Sequence, residues 1–490
     1  MLIAHDLGTT GDKASLHALD GTLIASAQAS YPTTYGTNNE VEQNPEDWWV
    51  AVVTATHQLL ADTGTPPAAV TGLCVGGTMM AVVLVDANGT PLRPSLIWAD
   101  QRAAEEAKEL RAAFGDDKGY RVTGNRLAAT YNLPKLMWLA RHEPDLVARA
   151  YRAIGHKDYV NFKLTGIIAT DVTDASSTAM YEIANRCWSD ELFAASGVES
   201  RLAPLVVDST STLGQLTSAA AAELGLTTAT RVIAGGGDGP MAAAGVGCIS
   251  PDQPGYVCLG TSAWYSRTTR TPVLDPLQRS FTLAHVVPGM VVPTATTQAG
   301  AGTVDWLRDA IAPGMTVPDF ITQGLAAEAA STGLFFLPYL TGERSPWWNP
   351  HASGVMAGLR RHHGRAEMTR AALEGVAFGL ALCMEPLVMP DEPVDIVGGG
   401  AASDGWLQLF ADVWERPVRR RANTPGVTSL GVAITGLVGL GHLDFASAPS
   451  LSVTDFEAEP SARASEYREH RQRFVAAYIA TAPWFDGEAR

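Results

Sequence analysis

The chain is poor in cysteine, and its five cysteines (Cys74, Cys187, Cys248, Cys258 and Cys383) lie far apart in 490 residues. No Cys-x-x-Cys pair exists, which argues against a zinc site or a disulfide framework and for reduced thiols in a cytoplasmic protein. No apolar run reaches bilayer-spanning length, and the first residues carry polar groups where a signal peptide would have an apolar core. Cationic side chains are scarce as well. The 35 Lys and Arg stand against 51 Asp and Glu, a net charge of -16. Nucleic acids and anionic membranes favour the opposite balance, so neither is expected as a partner. Any anionic ligand must be held locally, by backbone N–H groups and a few cations. Nothing matches the Gly-x4-Gly-Lys-Ser/Thr pattern, and a late three-glycine run lacks the Gly-x-Gly-x-x-Gly spacing.

Glycine and apolar residues are plentiful: 47 glycines, and a hydrophobic fraction of 46% against 18% charged. That is the composition of a globular protein, long enough to need two large domains. The N-terminal stretch MLIAHDLGTTGDKASLHALDG reads as strand, turn, strand, with Leu2 to His5 and Ala14 to Ala18 as the flanks. An ordinary turn needs one or two permissive residues, yet Asp6, Gly8, Thr9, Thr10, Gly11 and Lys13 crowd this one. A plain turn and a phosphate-holding turn both fit them in isolation. An echo occurs in GYVCLGTSAWYSRTT, where Gly260-Thr261-Ser262 separates Tyr256–Leu259 from Ala263–Thr268.

Helices have recognisable starts. Asn44 caps and Pro45 opens one in which Trp48, Val52 and Leu59 recur at helical spacing. EMTRAALEGVAFGLALCMEPL reads as a buried helix ending before Pro386, and SDGWLQLFADVWERP as another capped by Ser403 or Asp404. Mixed strands and helices give an α/β class. Two layers, each opening with a glycine-hydroxyl hairpin, predict paired domains facing one cleft. The boundary falls within 235–255, dividing the chain into 1–245 and 246–490.

Three further stretches carry chemistry with a bland alternative beside it. In AGGGDGPMAAAGVG, Asp238 stands between glycines, placed either to orient a substrate hydroxyl or simply to cap a helix. In VGGGAASDGW, a strand (Val394–Val397) meets Gly398 to Ala401 and then a helix, where a nucleotide can face backbone N–H groups. In LIWADQRA, Trp98, Asp100 and Arg102 offer a stacking face, an acceptor and a donor to a polyol; alternatively Trp98 is core and Asp100 pairs Arg102. PYLTGERSPWWNP reads as an ordered connection, and Arg360 to His363 as a solvated cluster.

Taken together and in order, these motifs resemble the FGGY carbohydrate kinases, the xylulokinase branch above all. The carriers are Asp6-Leu7-Gly8-Thr9-Thr10, Trp98-x-Asp100-x-Arg102, Lys157-Asp158-Tyr159 with Leu164-Thr165-Gly166, Gly237-Asp238, Leu259 to Ser262, Tyr339-x-x-Gly342-Glu343-Arg344-x-Pro346, and Gly398 to Ala401 with Trp406. The resemblance implies two ribonuclease-H-like (actin-like) domains around a catalytic cleft, using ATP and Mg2+. It implies Asp6 on the metal and Gly8, Thr9, Thr10 and Lys13 near the transferred phosphoryl. Gly260, Thr261 and Ser262 would cradle the other phosphates, Gly399, Gly400 and Ala401 would line the adenosine, and Asp238 would be the catalytic base. Thr78, Met79, Met80, Trp98 and Asp100 would meet the sugar. One departure stands out: Thr78-Met79-Met80-Ala81 replaces the Gln-Met-His-Gly run of typical D-xylulose kinases. The implied activity is phosphorylation of a ketopentose, D-xylulose first, with another ketose, a sugar alcohol or a sugar acid as alternatives. A small-molecule sugar is the implied partner, and a homodimer is left open. A non-kinase actin-like ATPase fits less well, since a glycine-flanked Asp238 suits a small acceptor.

Overall fold

The computed structural model describes residues 1–422, 426–485 and 487. Each half of the chain is built on one sheet of similar plan. In the first, β1 (Leu2–Leu7), β2 (Gly11–His17) and β3 (Leu23–Ser30) form an antiparallel meander. On the other side of β1 run β4 (Gly72–Gly77) and, after the antiparallel edge strand β5 (Thr212–Gln215) in sequence, β6 (Arg231–Gly237). β1, β4 and β6 are mutually parallel neighbours, with β5 outermost. Every residue of β1 is buried. Its alternation serves two cores: Ile3 and Leu7 pack with α1 (Pro45–Thr63) and α2 (His156–Thr165), while Leu2 and Ala4 face the opposite layer. Both faces being covered explains why β1 lacks the polar alternation of a half-exposed strand.

In the second sheet, β7 (Tyr256–Leu259) and β8 (Ala263–Ser266) repeat the opening hairpin, and β9 (Phe281–Ala284) and β10 (Val291–Thr297) extend it. Beyond β7 come β11 (Val394–Val397) and β12 (Val418–Arg421), both parallel, then the antiparallel β13 (Thr454–Ala458). The two hairpins close alike, through Gly8 N to Gly11 O (2.9 Å) and Gly260 N to Ser262 O (3.0 Å).

The helices follow in order: α3 (Asp238–Val246), α4 (Ala301–Ile311), α5 (Val317–Leu325), α6 (Arg365–Met384), α7 (Asp404–Trp414) and α8 (Val427–Leu440). The Asn44 side chain caps α1 and that of Ser403 caps α7, as the sequence suggests. Phe378 of α6 and Trp406 and Phe410 of α7 fill the second core with Val257 of β7. The five cysteines are all free. No helix among the described residues is long and apolar enough to cross a membrane.

Helix α8 belongs to the second half by sequence, yet Val432, Ile434 and Leu437 pack in one core with Leu2, Cys74 and Ile233 of the first sheet. Its crossing with α3 is backbone on backbone. A Cβ on Gly245 would strike the Val427 carbonyl, and one on Gly431 would strike that of Met241. Gly431→Val is therefore expected to destabilise the fold by about 1–3 kcal/mol or more through overpacking. A lowered melting temperature checks this.

Candidate active site

Parallel pairing fixes the first elements of the site. Asp6 lies beside Gly76 of β4, and Gly76 lies beside Gly236 of β6. Asp6 and Asp238 therefore emerge at the same carboxyl edge of the sheet, two strand spacings apart, or roughly 9–10 Å at the backbone. Such edges are where open α/β sheets hold ligands. Antiparallel pairing sets Lys13 opposite Asp6.

Asp6 is 8% exposed, and its carboxylate accepts no hydrogen bond among the described residues. Burial, and then the charge of Asp238, push it up to about 7, while Lys13 pulls the other way. Asp238 opens α3; Gly237 is the residue in the cap position. Its Oδ1 accepts from Gly239 N (2.8 Å), and burial raises it to about 6 against that hydrogen bond. Asp238 is therefore not the helix cap: it is the first residue of α3, and it borders a cavity.

That cavity, of about 360 Å³, lies between the halves. Thr9, Met79, Met80, Trp98 and Asp238 line it from the first half, and Ser262 and Trp264 from the second. A second cavity, of about 560 Å³, lies wholly in the second half. Gly260, Thr261, Gly399 and Gly400 line its polar side, with Val304 of α4 and Ile321 of α5 as apolar walls. The Gly260-Thr261-Ser262 turn is thus shared: its first two residues border one cavity and Ser262 the other. Gly398 has φ +98, and a Cβ there would meet the Leu259 backbone, so only glycine lets β11 turn this close to β7.

Two expectations need correcting. Asp100 does not reach the cavity: it is completely buried, and its carboxylate is spent on Val41 N (2.7 Å), Arg102 N (3.1 Å) and the Arg102 guanidinium (2.7 Å). Arg102 in turn binds Glu42 at 2.6 Å. The Asp100–Arg102 pair is part of the wall, and Trp98 alone of that trio lines the cavity. Ala401 is also buried, in the core beneath the second cavity, where Ala402 and Ser403 stand at the surface instead. Gly8, Thr10 and Lys13 sit on the first hairpin beside Asp6, Lys13 exposed, without lining either cavity.

The altered run Thr78 to Ala81 follows β4 directly. Thr78 Oγ1 bonds His156 Nδ1 at 2.7 Å, a buried ring that burial depresses to about 3 and so keeps neutral. Met79 packs against Gly237, where any Cβ would collide with it. Met80, in the left-handed region at φ +65, borders the cavity.

Residues to which the sequence assigns no site role also border the first cavity: Arg126, Tyr131 and Thr296, and from the loop read as an ordered connection Arg344 and Trp348. Arg126 lies over the Trp348 ring, 4.5 Å from its centroid. The Thr296 hydroxyl and Trp348 Nε1 are buried without a hydrogen-bond partner, while the Arg126 guanidinium donates to the carbonyls of Gln278 (3.0 Å) and Leu277 (3.2 Å). The Gly-Glu-Arg-Ser-Pro-Trp-Trp loop was the available signal, since ordered loops with charged and aromatic residues often line sites. Lys157 with Asp158, Asp171 and Asp174, at 2.6, 3.0 and 3.1 Å, forms a buried cluster away from the cavity walls.

Two sheets of one plan, facing hairpins and a cleft cavity with an aspartate at its edge define a two-domain α/β enzyme. The N-terminal domain model of the FGGY family of carbohydrate kinases matches residues 1–245, and the C-terminal domain model matches residues 255–440. The chain belongs to this family and is a sugar kinase. It is 30% identical to the xylulose kinase of Escherichia coli (strain K12), covering 99% of each chain. Among solved structures, the ligand-bound xylulose kinase from Lactobacillus acidophilus superposes with a TM-score of 0.93 at 25% identity over 99% of both chains. The gluconate kinase from Lactobacillus acidophilus gives the same figures, a TM-score of 0.93 and 25% identity over 99% of both.

Proposed function

We propose that this kinase transfers the γ-phosphoryl group of ATP to a hydroxyl of a ketopentose, D-xylulose being the first candidate. The acceptor lies in the cleft cavity and the nucleotide in the cavity of the second half. This gives residues 1–245 the sugar side and 246–490 the nucleotide side. The observation that carries the reading is the placement of Asp238, a carboxylate at the sheet edge facing a cavity that the Ser262 end of the phosphate-type turn also borders.

Each residue then has a task. Asp238 accepts a hydrogen bond from the acceptor hydroxyl and takes its proton as the new O–P bond forms and the bond from the γ-phosphorus to the bridging oxygen breaks, ADP leaving with that electron pair; burial has raised its basicity toward neutrality, which suits that task. The Gly8 and Gly260 N–H groups close the two hairpins, which leaves those of Thr9 and Thr10 and of Thr261 and Ser262 to face phosphoryl oxygens from both sides of the cleft, and Lys13 adds a cation. Gly399 and Gly400 border the adenosine between the apolar walls of α4 and α5. Asp6, a buried carboxylate without a hydrogen-bonding partner and under repulsion from Asp238, fits a divalent cation. Magnesium keeps most of its ligands as water and phosphate oxygens, so one or two carboxylates suffice. When bound, Mg2+ would neutralise phosphate charge. Trp98, Met79 and Met80 shape the acceptor cavity and shed water from it.

A sugar acid is the second reading, favoured by one observation. The Thr296 hydroxyl and Trp348 Nε1 border the cavity without a hydrogen-bond partner, beside the cations Arg126 and Arg344, an arrangement that suits a carboxylate. An ADP-release assay over ketoses, sugar alcohols and sugar acids decides. The ketopentose reading expects D-xylulose to give the highest kcat/KM; a higher value for an aldonate shifts it to the second. ADP release that is independent of any acceptor overturns both.

A further inference from the structure

Lys135 is completely exclosed from solvent at 0% exposure, in the first turns of the helix Asn132–His142. A lysine there is unfavourable for the helix itself, since the positive end of the dipole repels it. No carboxylate lies within ion-pair distance of it among the described residues. Its ammonium instead donates to three backbone carbonyls: Met80 (2.8 Å), Ile97 (2.7 Å) and Thr130 (2.7 Å). Those carbonyls belong to three separate loops, and each loop brings a wall of the cleft cavity. Met80 itself lines it, Trp98 follows Ile97, and Thr130 and Tyr131 complete the side. The Thr130 hydroxyl adds a bond to the Trp98 carbonyl at 2.6 Å.

We propose that Lys135 is the positioning residue of the acceptor cavity, its three N–H donors holding the Met80, Trp98 and Thr130 loops at the spacing the sugar requires. The proposal rests on assigning that cavity to the acceptor. The chemistry demands the charged form. An ammonium has three N–H donors and satisfies three carbonyls, whereas a neutral amine has two and turns a lone pair toward the third. Burial, the largest effect, opposes the charge, and of the groups facing it Asp100 favours the charge and Arg102 opposes it; burial and Arg102 together outweigh Asp100 and bring Lys135 down to about 7. The sign follows: the loops are held below that pH and loosen as pH rises through it. Asp100, displaced from the sugar, thereby regains a part behind the wall.

The test uses the full chain with ATP and its best acceptor. Lys135→Met is expected to raise the acceptor KM by about tenfold or more, as loss of a supporting shell does, while the ATP KM stays within about twofold. In the unmutated enzyme the acceptor KM rises above pH 7, and this rise disappears in Lys135→Met and in Lys135→Arg, whose guanidinium stays charged but does not match three converging carbonyls. An acceptor KM within about twofold of the parent in Lys135→Met, or acceptor and ATP KM rising together, overturns the proposal. If Lys135→Met fails to fold, the parent decides alone: an acceptor KM flat from pH 6 to 9 overturns it. A parent enzyme whose ADP release ignores every sugar defeats the cavity assignment instead, a separable outcome.

Discussion

Asp238→Asn is expected to lower kcat by about 10²–10⁴-fold, the range for losing a positioned general base, with nucleotide affinity changed by no more than a few-fold. The asparagine keeps the size and the contact with Gly239 N but cannot take a proton. The nucleotide cavity lies in the other half and shares no wall residue with Asp238, so binding and chemistry should separate. Coupled ADP release and calorimetric titration of the nucleotide measure the two. Near-normal turnover in this variant would remove Asp238 from the base role. The pH profile gives a second view. Because burial raises Asp238 to about 6, its ionised form fades below that pH, and kcat should fall on the acid side with a midpoint near 6. In Asp238→Asn that acid limb should vanish from the residual rate.

Asp6→Asn is the second large effect, and it should split activity from stability. Asp6 has no hydrogen-bonding partner among the described residues and is raised to about 7 by burial and by Asp238. An unfolded aspartate titrates near 4, so folding binds a proton, and the stability linked to Asp6 declines as pH rises between those values. At pH 8, without metal or nucleotide, the asparagine variant should melt higher than the parent. With Mg2+ and ATP it should lose turnover by about 10²-fold or more, since Asp6 would hold the cation that neutralises phosphate charge during phosphoryl transfer. Unchanged magnesium dependence would take Asp6 off the metal. A lower melting point at pH 8 would show that the carboxylate is stabilising, contrary to its raised pKa.

The hairpins, the caps and the glycine-flanked aspartate could be read from sequence because their causes are local. Gly8 and Gly11, Asn44 before Pro45, and Asp238 between Gly237 and Gly239 declare their geometry within a few positions. The fate of Asp100 could not be read in the same way. Its partner Arg102 is two residues away, but a further donor that it binds, the backbone N–H of Val41, comes from a strand 59 positions earlier. Lys135 was silent for the same reason, since its three acceptors lie on three loops. Thr78 showed as a departure from the family run, yet its neutral partner His156 is 78 positions on. Ala401 was misplaced by one step of the chain, because a three-glycine run does not say which of its neighbours turns inward.

Helix α8 carries a consequence for anyone who would take the protein apart. The seam between the two family domains invites a cut near residue 250, with each piece made by itself. The first piece would then lack Val432, Ile434 and Leu437, and the face of its sheet bearing Leu2, Cys74 and Ile233 would stand open to water. A bare apolar sheet face gathers partners indiscriminately. The lobes are better thought of as two hands clasped than as two beads on a string: separate expression should give insoluble fragments, and co-expression a complex.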